Sequence, residues 1–229
     1  NMKNDQELFR PYMRFKPEIK MKYVYYYDTV TSPSQDKRYP GLNTEQRAKE
    51  IMRIHGLDSN MFLKPEEIRA QIDLLPEKNK FVRVLERESG EKTFLRVYND
   101  MGHFPREAEI TAAFKRIVME LPKVGFLIGH GERDIKKLGD RDYNSFTLDK
   151  SFRYALINQG FDIENVILDK EVNPEIRILV IAEVRDEMSE VECENLDKYI
   201  ARGGNLFIVG EPKRQEIMNP VIEQFGVQF

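Results

Sequence analysis

The 229-residue sequence has one cysteine, no tryptophan and three histidines. A single thiol, Cys193, excludes an internal disulfide framework and any cysteine-cluster zinc site. It leaves the compartment open, because a disulfide-free fold suits cytosol and periplasm alike. No stretch approaches the ~18 consecutive apolar residues of a membrane span, and residues 1–20 lack the apolar centre of a signal peptide. Charge of one sign is also missing: 36 basic and 39 acidic side chains give a net charge of −3. That balance is a poor footprint for nucleic acid, which is met by a basic stripe. The phosphate-loop pattern G-x-x-x-x-G-K-[ST] is absent, and Gly129-His130-Gly131-Glu132 is not a G-x-G-x-x-G fingerprint, because Asp134 stands where the third glycine would fall. His55, His103 and His130 lie in separate segments without metal-ligand spacing. No metal and no cofactor is expected.

What is present divides into two regions. Residues 1–122 carry 22 basic and 19 acidic side chains, whereas 123–229 carry 14 and 20, and the pattern changes at the same point. The C-terminal region opens with Lys-Val-Gly-Phe-Leu-Ile-Gly at 123–129 and continues with short apolar runs at 165–169, 176–183 and 205–211. Near-continuous apolar runs of this length are the mark of strands buried on both faces of a parallel sheet. Helices are predicted over 143–159, 189–202 and 213–224. Ser189 with Glu192 forms a capping box, and Gly203-Gly204 supplies the left-handed stop. The fold expected is α/β, with an open, mostly parallel, flavodoxin-like sheet.

The N-terminal region, 1–122, reads as a smaller α/β unit. It has a helix end at 7–15, a strand at 21–28, helices over 44–55 and 64–75, a hairpin over 81–98 and a connecting helix over 104–122. Ile110, Phe114, Ile117, Val118 and Leu121 are placed on one face of the last helix. Tyr23, Tyr25, Tyr26 and Tyr27 could form an aromatic platform, but a half-buried strand with alternate rings in the core explains them more simply. The acidic run 187–195 needs no explanation beyond the preference of helix N-termini for acids.

In parallel open sheets, ligands sit beyond the carboxyl ends of the strands. This selects Gly129–Arg133, Asp169, Glu183–Arg185 and Gly210–Pro212. One reading makes His130 a base or ligand contact oriented by Glu132. The other makes the segment a tight turn whose polar residues cap a helix and bridge to Arg185 or Arg133. The strand-to-helix elbows 182–185 and 209–212 hold neither Cys nor Ser, so no nucleophilic triad is expected. Cys193 is assigned to a small buried thiol.

The segments KVGFLIGHGERD, INQGFDIENVILD and RILVIAEVRDEMSEVECENLDKYIARGGNLFIVGEP together resemble the ABC-type transport auxiliary family of the gliding-motility, GldG-like type. The match includes Leu196, Asp197, Tyr199, Ile200, Arg202, Gly203 and Gly204. The resemblance implies a sheet like that of class I glutamine amidotransferases without the catalytic cysteine. It also implies a protein anchored in the inner membrane by segments absent from this chain, with this domain extracytoplasmic and an ABC permease and ATPase as partners. The leading expectation is therefore a non-enzymatic transport auxiliary module that binds a partner subunit or small-molecule ligand at His130, Glu132, Glu183, Arg185 and Glu211. The alternatives are a hydrolase or transferase using His130 and Glu132 on a water, and a cytosolic ligand-binding domain.

Overall fold

The structure, a computed structural model, describes residues 2–30, 32–139 and 142–229. It forms two compact units, residues 1–80 and 81–229. The first contains α1 (Met2–Phe15), β1 (Tyr25–Tyr26), α2 (Pro33–Arg38), α3 (Thr44–Ile54), β2 (Phe62–Leu63) and α4 (Pro65–Gln71). Helix α3 forms where its signals lie: Asn43 and Gln46 close a reciprocal capping box, and Ala48 and Met52 are buried. The tyrosine strand is much shorter than expected. β1 pairs in parallel with β2 over two residues, and β2 can go no further because Pro65 opens α4. Tyr23, Tyr25, Tyr26 and Tyr27 are all half-buried instead of alternating between core and solvent. Helix α4 stops at Gln71, short of the expected 75; Asp73 then accepts from Leu75 N and starts a 3₁₀ turn over Leu75–Glu77.

The second unit opens with the hairpin β3 (Arg83–Glu86) and β4 (Lys92–Leu95), followed by α5 (Glu107–Arg116) and β5 (Lys123–Leu127). Then come α6 (Asn144–Thr147), β6 (Asp162–Val166), β7 (Ile176–Ala182), α7 (Glu190–Ala201), β8 (Asn205–Val209) and α8 (Gln215–Ile222). The four strands β6-β5-β7-β8 are all parallel, in that order. Numbered within the sheet this is 2-1-3-4, the flavodoxin-like arrangement. One face packs Leu127, Leu168, Leu179, Ile181, Leu196, Tyr199 and Met218, and the other Val124, Phe126, Ile135, Val180 and Ala182. Gly125, in the central strand, leaves room for neighbours: a Cβ there would lie 2.5 Å from Val166 Cγ2 and 3.0 Å from Ile176 Cγ2.

Several boundaries differ from those expected. β6 lies at 162–166 and not 165–169, because its register is set against β5 from Lys123↔Asp162 onward. Leu168 and Val172 are buried in the helix-free connection to β7, in the cluster that also holds Leu179, Leu196 and Tyr199. Helix α5 ends at Arg116, so Val118 falls outside it and is exposed, while Ile117 is buried. The helix expected over 143–159 reduces to α6 and a 3₁₀ turn at Leu156–Asn158. Side chains there supplement the main-chain bonds of the turns: Asp149 accepts from Ser151 N, Asn158 donates to the carbonyls of Asp149, Lys150 and Phe152, and Gln159 donates to that of Arg153.

That irregular path delivers Arg153 to the interior. Its side chain is 1% exposed, with Nε and Nη2 on Asp100 and Nη1 on Glu109 of α5. Arg116 at the end of α5 reaches Asp162 of β6 as well. The hairpin and α5 therefore pack with the sheet, and the compact units divide at 80/81 where the sequence pattern changes at 122/123. Removing one member of a buried charge group costs ~3–5 kcal/mol, far more than breaking an exposed pair. Arg153→Ala should lower the unfolding free energy by about 3–5 kcal/mol in urea titrations followed by circular dichroism. Lys49→Ala, which breaks an exposed pair with Glu45, should leave the urea midpoint essentially where it is.

Candidate functional site

The sheet order places its topological switch point between β5 and β7, the crevice where ligands bind in folds of this kind. The chain leaves β5 through Gly129 (φ 129°) and Gly131 (φ 76°), conformations that disfavour a side chain. Gly131 is constrained twice, since a Cβ there would stand 3.0 Å from Arg185 Cδ. Between the glycines, His130 N donates to Glu132 Oε2 at 2.6 Å, and the His130 carbonyl accepts from Arg185 N at 2.8 Å and Asp186 N at 3.3 Å. The turn beyond β5 is thereby tied to the turn beyond β7.

The His130 ring is buried and engaged at both nitrogens. Nδ1 lies 3.0 Å from Glu132 Oε1, and Nε2 lies 3.1 Å from Glu192 Oε1. Two carboxylates on one ring favour the imidazolium, which donates from both nitrogens. Burial pushes the His130 pKa down, but the bonds to Glu192 and Glu132 outweigh it and the net shift is upward. Glu192 has a second duty. Its Oε2 accepts from Ser189 N and Ser189 Oγ, completing the capping box of α7. Those Ser189 bonds, joined by the one from His130, draw the Glu192 pKa to about 2.

The remaining residues form two further pairs. Arg133 meets Glu183 at 2.8 Å and stacks over the Tyr143 ring with its guanidinium carbon 5.4 Å from the centroid. Glu183 is buried and holds a left-handed backbone (φ 60°), with its N–H donating to Val209 O at 2.8 Å. Arg185 meets Glu211 at 3.3 Å, and these two side chains are just over one quarter exposed. All five residues selected from the sequence thus gather at the strand ends; the His130–Glu132 pairing is the one expected, and the others differ. Glu132 caps no helix, serving the His130 ring and N–H instead, and Arg185 reaches Glu211. Asp169 is exposed and outside the set. Glu192, Arg133 and Tyr143 were not selected as site residues. Ser189–Glu192 was visible as a capping box, but nothing local signals that α7 begins beside the end of β5.

Chemically, the arrangement is a belt of ion pairs with one carboxylate in excess. With an imidazolium at His130, three cations face four carboxylates. A general base needs a free ring nitrogen aimed at substrate, and both nitrogens of His130 are occupied. Cys193, expected to be buried, is exposed on α7. The phase set by the capping box turns Asn195, Leu196 and Tyr199 inward in its place. Its thiol pKa is raised by partial burial and by Asp197 and Glu192, which disfavours the thiolate. Among the described residues, no group of three or more His, Cys, Asp or Glu side chains could hold a metal ion.

The fold and belt define a flavodoxin-like α/β domain whose strand-end crevice is closed by its own ion pairs. Residues 121–224, from just before β5 through α8, match the model of a family described as an ABC-type uncharacterized transport system. The match spans somewhat less than half of the chain and supports the ABC-type transport auxiliary family that the G-H-G-E and R-G-G elements suggested. No curated protein and no solved structure matches the chain.

The belt has a pH signature. His130 has a folded pKa above its ordinary 6.5, so its contribution to stability is complete below 6.5 and is lost as pH rises through the folded value. Glu192, drawn down from 4.5 to about 2, contributes fully above 4.5 and loses that contribution as pH falls toward 2. NMR titration should place the His130 midpoint above 6.5. Glu192→Gln should shift that midpoint downward and flatten the fall in stability on the alkaline side.

Proposed function

We propose that this chain is the non-enzymatic, extracytoplasmic domain of an ABC-type transport auxiliary protein of the GldG-like, gliding-motility type. It is anchored to the inner membrane through segments outside this sequence and works with an ABC permease and ATPase. The transport assignment rests on the family match over 121–224. Among the described residues, no helix is long and apolar enough to cross a membrane, so the anchor in this reading lies elsewhere.

The observation that carries the non-enzymatic reading is the occupied His130 ring. A water-activating histidine would have to break its bond to Glu192, and Glu192 would then lose one of the partners that hold it ionised at the start of α7. The hydrolase or transferase reading has no comparable support. Docking in this proposal uses the accessible Arg185–Glu211 pair at the outer side of the belt, while His130 and Glu132 hold the turn in shape.

Full-length protein, affinity-purified from detergent-solubilised membranes, should bring a permease and an ATPase identified by mass spectrometry. Arg185→Glu should cut that recovery at least about fivefold without changing the far-UV circular dichroism, the scale of losing one accessible charge pair at an interface. Recovery of the protein alone from the soluble fraction would contradict the reading. Ester, amide and glycosyl test substrates should not be turned over; turnover abolished by His130→Gln would favour the enzyme instead.

A further inference from the structure

The belt and sheet leave unused a feature of the first unit. Residues 1–80 carry 15 basic and 12 acidic side chains, although the chain as a whole is net negative. The excess is concentrated at 10–22, where Arg10, Arg14, Lys16, Lys20 and Lys22 accompany one acid, Glu18. Lys16 pairs with Glu18 at 3.5 Å, both largely exposed. Arg10, Arg14, Lys20 and Lys22 are exposed and have no ion-pair partner among the described residues.

The helix that begins this segment is oriented by its other face. Asp5 and Phe9, one turn apart on α1, are buried at 4% and 7%, which turns Arg10 and Arg14 outward. Phe15, the last residue of α1, is 93% exposed in the middle of the cations. An aromatic ring left almost wholly in water among unpaired cations combines two features of surfaces that rest on anionic lipid: charge attraction and a ring that enters the headgroup layer. A purely solvated face accounts for the lysines and arginines but leaves Phe15 unexplained.

We infer that residues 10–22 form a contact surface for anionic phospholipid headgroups. Charge complementarity selects the lipid: unpartnered cations on one short segment, with Phe15 as the apolar element. Nucleic acid fits less well, because the segment presents one exposed ring and no row of aromatic side chains for stacking bases. The inference shares with the proposed function only the expectation that the protein works beside a membrane, and its test requires no transporter.

The 229-residue chain would be sedimented with vesicles of pure phosphatidylcholine, and with vesicles containing phosphatidylglycerol, at low and high salt. Binding is expected only to the anionic vesicles, with loss at high salt. Each basic residue near such a surface contributes about a fivefold change in partitioning. The exposed quadruple variant Arg10→Ser, Arg14→Ser, Lys20→Ser, Lys22→Ser should therefore bind at least about 25-fold more weakly, with unchanged circular dichroism. Phe15→Ser should weaken binding to the anionic vesicles severalfold at low salt. Absence of binding to anionic vesicles at low salt overturns the inference. So does equal binding to both vesicle types, quadruple-variant binding equal to wild type, or salt-sensitive binding to single-stranded DNA without binding to vesicles. Failure to recover a permease from membranes leaves this experiment unaffected, and vesicle binding in turn says nothing about the permease.

Discussion

The guanidinium of Arg153 is the constraint around which the larger unit is arranged. Burying an ion costs several kcal/mol unless its hydrogen bonds and its charge are both answered. Here Nε and Nη2 are taken by Asp100, Nη1 by Glu109, and Nη2 also by the Phe104 carbonyl, while the Tyr98 ring lies 4.5 Å away. These partners come from the loop after the hairpin and from α5. The cation itself comes from the connection between β5 and β6. Satisfying one charge thus joins three segments that no β-ladder connects. Burial then raises the Tyr98 phenol pKa, and the neighbouring Glu109 carboxylate pushes in the same direction.

The same requirement shapes the chain around Arg153. The path that carries Arg153 inward replaces the regular pattern of a helix over 143–159 with short turns. Asn158 and Gln159 add side-chain bonds to its carbonyls, and Gln159 also donates to Glu109. Polar residues that look like a helix surface in the sequence are the interior wiring of an irregular connection. Low local dielectric makes such wiring strong when complete and costly when broken.

At the carboxyl ends of the strands, a second set of charges follows the same rule and bears on function. His130, Glu132 and Glu192 link the end of β5 to the start of α7, Arg133 links the β5 turn to Glu183, and Arg185 links the β7 turn to Glu211. A crevice that elsewhere receives a ligand is occupied here by side chains of the domain itself. The belt lies within residues 121–224, the segment that matches the ABC-type transport family model.

What could be read locally follows from interactions a few residues apart. Apolar runs marked β5, β7 and β8, and the Ser189–Glu192 capping box marked the start of α7, because each depends on neighbours in the chain. The G-H-G-E turn and the other candidate positions could be placed at the sheet's rim from strand order and direction alone. Tertiary structure alone decided the partners. Charge pairing is directionless in sequence, so Glu132, Glu183, Glu192 and Glu211 were interchangeable acids until the fold set His130 between Glu132 and Glu192, Arg133 on Glu183 and Arg185 on Glu211. The short β1, the displaced β6 and the broken 143–159 segment have the same origin. Local propensity was overruled by a distant proline, by a register or by a buried charge whose partners lie tens of residues away.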